Sequence, residues 1–351
     1  MKNIFLEFIN RHERAKVIWT VLKNNGDSEL RKRILDEDYL TVSVRDISDG
    51  TALEGIPKIL YRIEIGTWGD GFFAEYRRLL NYLYYCEVFG FVPYVHFNKD
   101  FTYAEKGLVN GTDNPFEYYF LQPCVSEREA LQYRYSVNSR LVDSEFANRL
   151  KPLNGYDISE EYIDVMAKIS DKYIKFNGLT EQYLSQAEEM VNGKKCLGVH
   201  VRLTDFKQNY WGHPVCATAD CHLEYAKRAL GELGFEGVFL ATDDEETVSL
   251  FKNEFGDRLF YYQDVVRSSG QVSVAFSSSL RENHHYKLGL EVIRDMYTLS
   301  LCQGLVAGKS QVSICAMIEN RRKSPYEYVH IIDKGNNSDP SRKFSSVKNE
   351  K

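Results

Sequence analysis

Lys195-Cys196-Leu197-Gly198-Val199-His200-Val201-Arg202-Leu203-Thr204-Asp205 is the stretch on which the reading of this chain turns. Its first half is a short, nearly continuous apolar run and its second half is polar, as expected of a buried strand that opens an alternating unit. The residues after it keep the alternation. Residues 222–233 read as helix, 237–242 as strand, 245–253 as helix and 258–262 as strand. A helix through 287–302, a strand at 304–307, a helix from about 311 to 320 and the strand Tyr328-Val329-His330-Ile331-Ile332 follow. Alternating β and α predicts a parallel sheet.

Upstream the same pattern recurs once. Lys58-Ile59-Leu60-Tyr61-Arg62-Ile63-Glu64-Ile65 reads as strand, Gly66-Thr67-Trp68-Gly69-Asp70-Gly71 as a glycine loop, and Phe72 to Phe89 as an amphipathic helix that Gly90 can end. Val92-Pro93-Tyr94-Val95-His96-Phe97 is the next strand. Residues 98–155 are rich in Asn, Gly, Asp and aromatic side chains and predict irregular structure and short helices rather than βαβ repeats; 158–192 predict helix. The expected architecture is α/β: two Rossmann-like domains facing a central cleft, over 58–190 and 191–333. In residues 1–57 the apolar Ile4, Phe5, Phe8, Val17, Ile18, Val21 and Leu22 fall near helical spacing, which predicts an N-terminal helical extension. The tail 334–351 is polar, Ser/Asn/Lys-rich and expected to be disordered.

Composition narrows the classes of function. A chain of 351 residues, 43% hydrophobic, can bury two α/β cores. The net charge of −6 with mixed signs offers no basic face for a nucleic acid. Glu7 and Asn10 interrupt the only apolar run near the start, and nowhere do about 18 consecutive apolar residues occur, so no transmembrane span is expected. Peripheral membrane association stays open. Seven scattered cysteines, an odd number, point to reduced thiols and a cytoplasmic location. Cys216 with Cys221-His222 could begin a zinc site, but no second pair completes it. Asp36-Glu37-Asp38 has a cation-binding spacing, yet it precedes any strand and reads as a solvated face. No metal is expected.

In open α/β sheets, ligands bind beyond the carboxyl ends of the strands. Three such ends stand out: His200-Val201-Arg202-Leu203-Thr204-Asp205, Ala241-Thr242-Asp243-Asp244 and Ala307-Gly308-Lys309-Ser310-Gln311. Together they supply a guanidinium, hydroxyls, carboxylates and a glycine-containing loop into a helix N-terminus, a set suited to a nucleoside diphosphate. Thr242-Asp243-Asp244 reads equally as an N-cap with its acidic first turn, and the two roles are compatible.

These segments resemble, in order and spacing, the three motifs of the α1,6-fucosyltransferase, nodulation fucosyltransferase and protein O-fucosyltransferase superfamily. Leu197 to Asp205, followed by His213-Pro214, is similar to the first motif, and Phe239-Leu240-Ala241-Thr242-Asp243-Asp244 to the second. Ile293-Arg294-Asp295, Leu299-Ser300 and Ser310-Gln311-Val312 resemble the third. A weaker likeness in the first half takes in Gly69-Asp70-Gly71, Phe116-Glu117-Tyr118-Tyr119-Phe120 and Lys172-Tyr173-Ile174-Lys175, so the resemblance covers about 65–315.

The resemblance implies a GT-B glycosyltransferase that transfers fucose from GDP-fucose, with inversion and without metal, to an oligosaccharide or lipid-linked glycan in surface polysaccharide biosynthesis. It makes Arg202 and Asp205 the candidate catalytic residues, with Arg202 on the donor's β-phosphate. His200 and Asp295 would recognise the base, and Gly71, Thr242, Asp243, Asp244, Ser310 and Gln311 would complete the donor site. A carboxylate at 295 can accept two N–H bonds from guanine, whereas uracil offers one donor on its pairing edge. In two places the chain departs from the pattern. Leu203 stands where the α1,6 enzymes carry a second arginine, and no carboxylate occupies Lys207 to Pro214, where their proposed base lies, so the base is unassigned. Tyr118, Tyr119, Tyr210 and Trp211 are the aromatic candidates for stacking on sugar. A different nucleotide sugar, or a non-catalytic nucleotide- or glycan-binding scaffold, are the alternatives.

Overall fold

The computed structural model describes residues 58–66, 70–133, 136–139, 156, 158–208, 210–268, 274, 279 and 281–342; of Phe89, Val137, Asn138 and Asp205 it describes the backbone alone. The expected N-terminal extension 1–57, Asp36-Glu37-Asp38 and residues 343–351 lie outside the described residues.

The first sheet is small. β1 (Leu60–Ile65) leads through the glycine loop into α1 (Phe72–Phe89), and β2 (Val92–Phe97) returns parallel to β1, with Leu60 opposite Val92 and Ile65 opposite Phe97. Gly90 ends α1 as its position predicts: it adopts φ 67°, which a side chain disfavours, and its N–H bonds to the carbonyl of Cys86. β3 (Ser136–Asn138) pairs on the other side of β1, giving the order β2-β1-β3. Between β2 and β3 the chain makes one short helix, α2 (Glu127–Ala130), capped reciprocally by Ser126 and Glu129. Elsewhere in that stretch aromatic side chains supply the order that the backbone lacks. Phe97, Phe101, Phe116 and Phe120 are buried together with Phe72 of α1, Phe97 and Phe101 meeting edge to face at 4.8 Å.

The helical stretch 158–192 is two helices. α3 (Glu160–Tyr173) stops where Ile174 turns extended, Phe176 pairs with Phe120, and Asn177 caps α4 (Gly178–Val191) by accepting from the Thr180 N–H. Although they precede β4, α3 and α4 pack on the last two long helices of the chain.

The second sheet is all parallel. β4 (Cys196–Val201), α5 (Ala219–Leu233), β5 (Gly237–Thr242), α6 (Glu245–Phe255) and β6 (Leu259–Phe260) step outward on one side. α7 (His284–Leu301), β7 (Gly304–Gly308), α8 (Gln311–Lys323) and β8 (Tyr328–Ile332) then fill the other, so the order is β6-β5-β4-β7-β8. Every residue of β4 and β5 is buried, as the unalternating runs predict. The order reverses between β4 and β7, and the crevice beyond their carboxyl ends is where such sheets hold ligands. Among the described residues no helix is long and apolar enough to cross a membrane.

α7 approaches the aromatic core closely enough that only glycine fits at 289. A Cβ there would sit 2.0 Å from the hydroxyl oxygen of Tyr119, a fully buried side chain that donates to the Tyr286 carbonyl. Gly289→Ala is expected to cost about 1–3 kcal/mol of stability, the usual penalty for forcing atoms into a filled core. An unchanged urea midpoint would show the contact to be less confined than the packing implies.

Residues 334–342, read from composition as the start of a disordered tail, lie along the loop 210–215 instead. The N–H groups of Trp211, Gly212 and Val215 donate to the carbonyls of Arg342, Asn337 and Gly335 at 2.7, 2.9 and 2.8 Å, and the Asn337 N–H returns a bond to the His213 carbonyl at 2.9 Å. Backbone pairing of this kind needs no apolar side chains, which is why a polar composition did not disclose it.

Candidate functional site

His200 lies next to the last residue of β4 on one side of the strand-order reversal, and Ser310 follows β7 on the other. The His200 Nδ1 and the Ser310 hydroxyl lie 3.2 Å apart, tying the two strand ends together. Burial pushes the imidazole down to about 3, with Arg202 and His222 adding to the effect against the pull of Asp243, so His200 is neutral at physiological pH. Ser310 is also the N-cap of α8: its hydroxyl accepts from the Ser313 N–H at 3.2 Å and its own N–H donates to the Ser313 hydroxyl at 3.0 Å. The Ser313 hydroxyl in turn donates to the Gly308 carbonyl at 2.8 Å. The turn that opens α8 is thereby rigid, and its helix N-terminus carries a partial positive charge.

Arg202 leaves β4 beside Asp243, which follows β5. The guanidinium pairs with the Asp243 carboxylate, which also accepts from the Leu203 N–H at 3.0 Å and from the Thr204 hydroxyl. Asp243 therefore orients Arg202 and pins the turn after β4. Arg202 keeps 26% of its side chain exposed and lies 5.9 Å from the Phe206 ring centre. Leu203, where a second cation was the comparison, is buried in the apolar core with Val201 and Ala217.

Asp244 has a structural role. It is buried and is not part of the cavity wall; its carboxylate caps α6 by accepting from the Thr247 N–H and hydroxyl at 2.9 and 2.7 Å, with Lys207 at 3.4 Å. Against the upward push of burial, these bonds hold its carboxyl below the usual range. Thr242 accepts from the Asp244 N–H at 3.3 Å and does reach the cavity. Asp205 belongs to the 3-10 turn Thr204–Gln208, and its side chain lies outside the described residues.

α7 supplies a second wall through Leu288, Glu291, Val292 and Asp295, which share one face at helical spacing. The Asp295 Oδ1 is shielded from solvent and meets no hydrogen-bond partner among the described residues. Burial raises its carboxyl to about 7, even though Arg267 and Arg294 pull the other way. Arg294 is committed elsewhere, bonding Asp264 at 2.7 Å and lying 3.7 Å from the Tyr262 ring centre. Glu291, one turn before Asp295, is paired with Arg281.

One cavity of about 230 Å³ joins these features. Its wall includes His200, Arg202, Thr242, Asp243, Asp295, Ser310 and Gln311 from the second sheet and Gly71 from the first. Apart from its chain neighbours, no described residue places a heavy atom within 4 Å of where a Gly71 Cβ would stand. Gln311 is aimed by Arg77 of α1, whose Nη1 donates to its Oε1 at 2.8 Å while its Nε donates to the Tyr162 hydroxyl at 2.8 Å. Sequence reasoning missed Asp70, Glu291, Tyr156, Phe206 and His213, all on the wall. Glu291 could have been found from its four-residue spacing to Asp295, and Asp70 from its place beside Gly71. Tyr156 has no local signal. Of the aromatic candidates, Tyr118 and Tyr119 are core residues, Tyr210 packs on the His213 ring at 5.9 Å, and Trp211 is 51% exposed. None of the four forms part of the cavity wall.

All seven cysteines are free thiols, and among the described residues no group of three or more His, Cys, Asp or Glu side chains could hold a metal ion. No family model and no curated protein matches the chain. Solved structures do: the fucosyltransferase NodZ from Bradyrhizobium is similar over 74% of this chain and 92% of its own, with 16% identity and a TM-score of 0.47. NodZ α1,6-fucosyltransferase soaked with GDP-fucose is similar over 75% and 92%, with 15% identity and a TM-score of 0.44. POFUT1 in complex with GDP-fucose is similar over 78% and 97%, with 9% identity and a TM-score of 0.43.

Proposed function

We propose that this chain is a cytoplasmic, inverting glycosyltransferase of GT-B architecture that transfers fucose from GDP-fucose to a glycan hydroxyl, in the assembly of a surface polysaccharide. The observation that carries the reading is the convergence, on one cavity at a strand-order reversal, of an oriented guanidinium, a helix N-terminus and a carboxylate, Asp295, whose shielded oxygen meets no partner among the described residues. Each element answers one part of a GDP-sugar. Asp295 accepts the N1 and N2 hydrogens of guanine, which gives its shielded Oδ1 the partner it lacks among the described residues. Arg202 and the first turn of α8 meet the diphosphate, and Arg202 strengthens its contact as the departing phosphate gains charge. The first sheet, through Asp70 and Gly71, forms the facing wall where an acceptor enters, and closing the two walls on the donor excludes water.

The phosphate charge is met by protein cations and dipoles, so turnover is expected to need no divalent ion. Purified protein given GDP-fucose should release GDP and fucose slowly with water as the acceptor, at the same rate with and without excess EDTA. Loss of turnover in EDTA that manganese restores would overturn the metal-free account. Transfer to a panel of oligosaccharide and lipid-linked acceptors, read by mass spectrometry, identifies the acceptor.

A further inference from the structure

Four carboxylates line the cavity among the described residues: Asp70, Asp243, Glu291 and Asp295. Three are committed. Asp243 accepts from Arg202, the Leu203 N–H and Thr204; Glu291 is paired with Arg281; and Asp295 faces the position assigned to the base. Asp70 stands apart, after β1 and immediately before the Gly71 that opens α1. Its side chain is 28% exposed and its Oδ2 accepts from the Arg78 Nη2 at 2.9 Å, while its Oδ1 makes no hydrogen bond among the described residues. The Thr102 hydroxyl donates to the Asp70 carbonyl at 2.9 Å, so the backbone beneath the side chain is also fixed. Arg78 is itself held by Glu75, buried at the start of α1.

We propose that Asp70 is the general base of the transfer, an assignment that rests on the GDP-sugar reading above. A general base needs an oxygen directed at the acceptor and held by something other than the acceptor. Asp70 lines the cavity with one oxygen fixed by Arg78 and the other without a hydrogen bond among the described residues, which leaves it for the acceptor. In the step itself the acceptor O–H gives its proton to the Asp70 Oδ1, and the acceptor oxygen's electron pair forms the bond to the anomeric carbon. The bond from that carbon to the β-phosphate oxygen breaks, and its electron pair leaves with GDP, facing Arg202. Attack and departure on opposite sides of the sugar give inversion, and Asp70 and Arg202 stand on walls built by different sheets. Of the ring nitrogens nearby, the neutral His200 is bonded to Ser310, whereas His213 lies on the same cavity among Tyr156, Phe206 and Tyr210 and is the rival base.

The test uses the full chain with GDP-fucose and water as the acceptor, comparing wild type, Asp70→Asn and His213→Gln, with GDP affinity measured calorimetrically on each preparation. Asp70→Asn is expected to bind GDP within ~3-fold of wild type, to lose turnover by ~100-fold or more, and to lose the acid-side fall in kcat that a carboxylate base produces at saturating GDP-fucose, where Asp295 is already held ionised by the guanine base. Wild-type turnover by Asp70→Asn with intact GDP binding would overturn the assignment and leave the donor site standing. So would an acid limb in kcat at saturating GDP-fucose that survives in Asp70→Asn and vanishes in His213→Gln. Failure of the wild type to bind GDP would instead remove the donor reading on which the assignment rests.

Discussion

Arg202→Lys is expected to lower kcat for GDP-fucose turnover at least ~100-fold, the scale of removing one preorganised donor from a developing charge. The diphosphate is charged already in the ground state, so the guanidinium contributes to affinity. In the transition state the bond to the anomeric carbon is breaking and the β-phosphate gains further charge, so the same contact strengthens. Turnover should suffer more than binding. Asp243 holds the planar guanidinium at Nη1 and so fixes its plane at the cavity wall, whereas an ammonium drawn to Asp243 has no plane to fix. Thermal stability should change little, because Asp243 keeps the Leu203 N–H and the Thr204 hydroxyl. Wild-type turnover by the variant, or its unfolding, would make Arg202 a structural partner of Asp243 and nothing more.

Asp295→Asn is expected to weaken GDP-fucose binding by about 1–3 kcal/mol, the cost of losing a charged hydrogen-bond partner. It should also erase a pH dependence. In the free protein the carboxyl sits at about 7, so below that pH it is mostly protonated, while guanine requires the ionised form. Binding must then release a proton, and wild-type affinity should fall by about tenfold per pH unit below 7 and level off above it. The stability consequence has the opposite sense. A carboxyl whose folded pKa is raised favours the folded state at low pH, and that contribution is lost as pH rises through about 7. At pH 8 the ligand-free Asp295→Asn protein should therefore melt no lower than wild type while binding worse. A pH-independent wild-type affinity would reject Asp295 as the base reader.

What was legible in the sequence was local. β4, β5 and β7 announce themselves as unbroken apolar runs, and each is followed within a few residues by the polar groups of the site, so a strand and its ligand-facing end are read together. Gly90 marks a helix end because its conformation is demanding. What was illegible depends on partners distant in sequence. The break between α3 and α4 is fixed by Phe120 and the Asn177 cap, and the 158–192 pattern is apolar enough on either side to read as one helix. Asp243 and Asp244 are adjacent and chemically alike, yet one orients Arg202 and the other caps α6, a difference set by which face of the strand end each occupies. His213 reaches the cavity on a loop held by residues 334–342, a pairing between backbones that leaves no pattern in either segment.

Calorimetric titration of the wild-type chain at pH 8 with GDP and then with UDP tests the central claim most directly, because the base reader, the diphosphate site and the cavity that joins them must all be in place for it to succeed. GDP should bind and UDP should bind at least ~10-fold more weakly, since uracil leaves one oxygen of the Asp295 carboxylate unpaired. Binding of UDP alone, or equal affinity for both, would contradict the assignment of this cavity to a GDP-linked sugar.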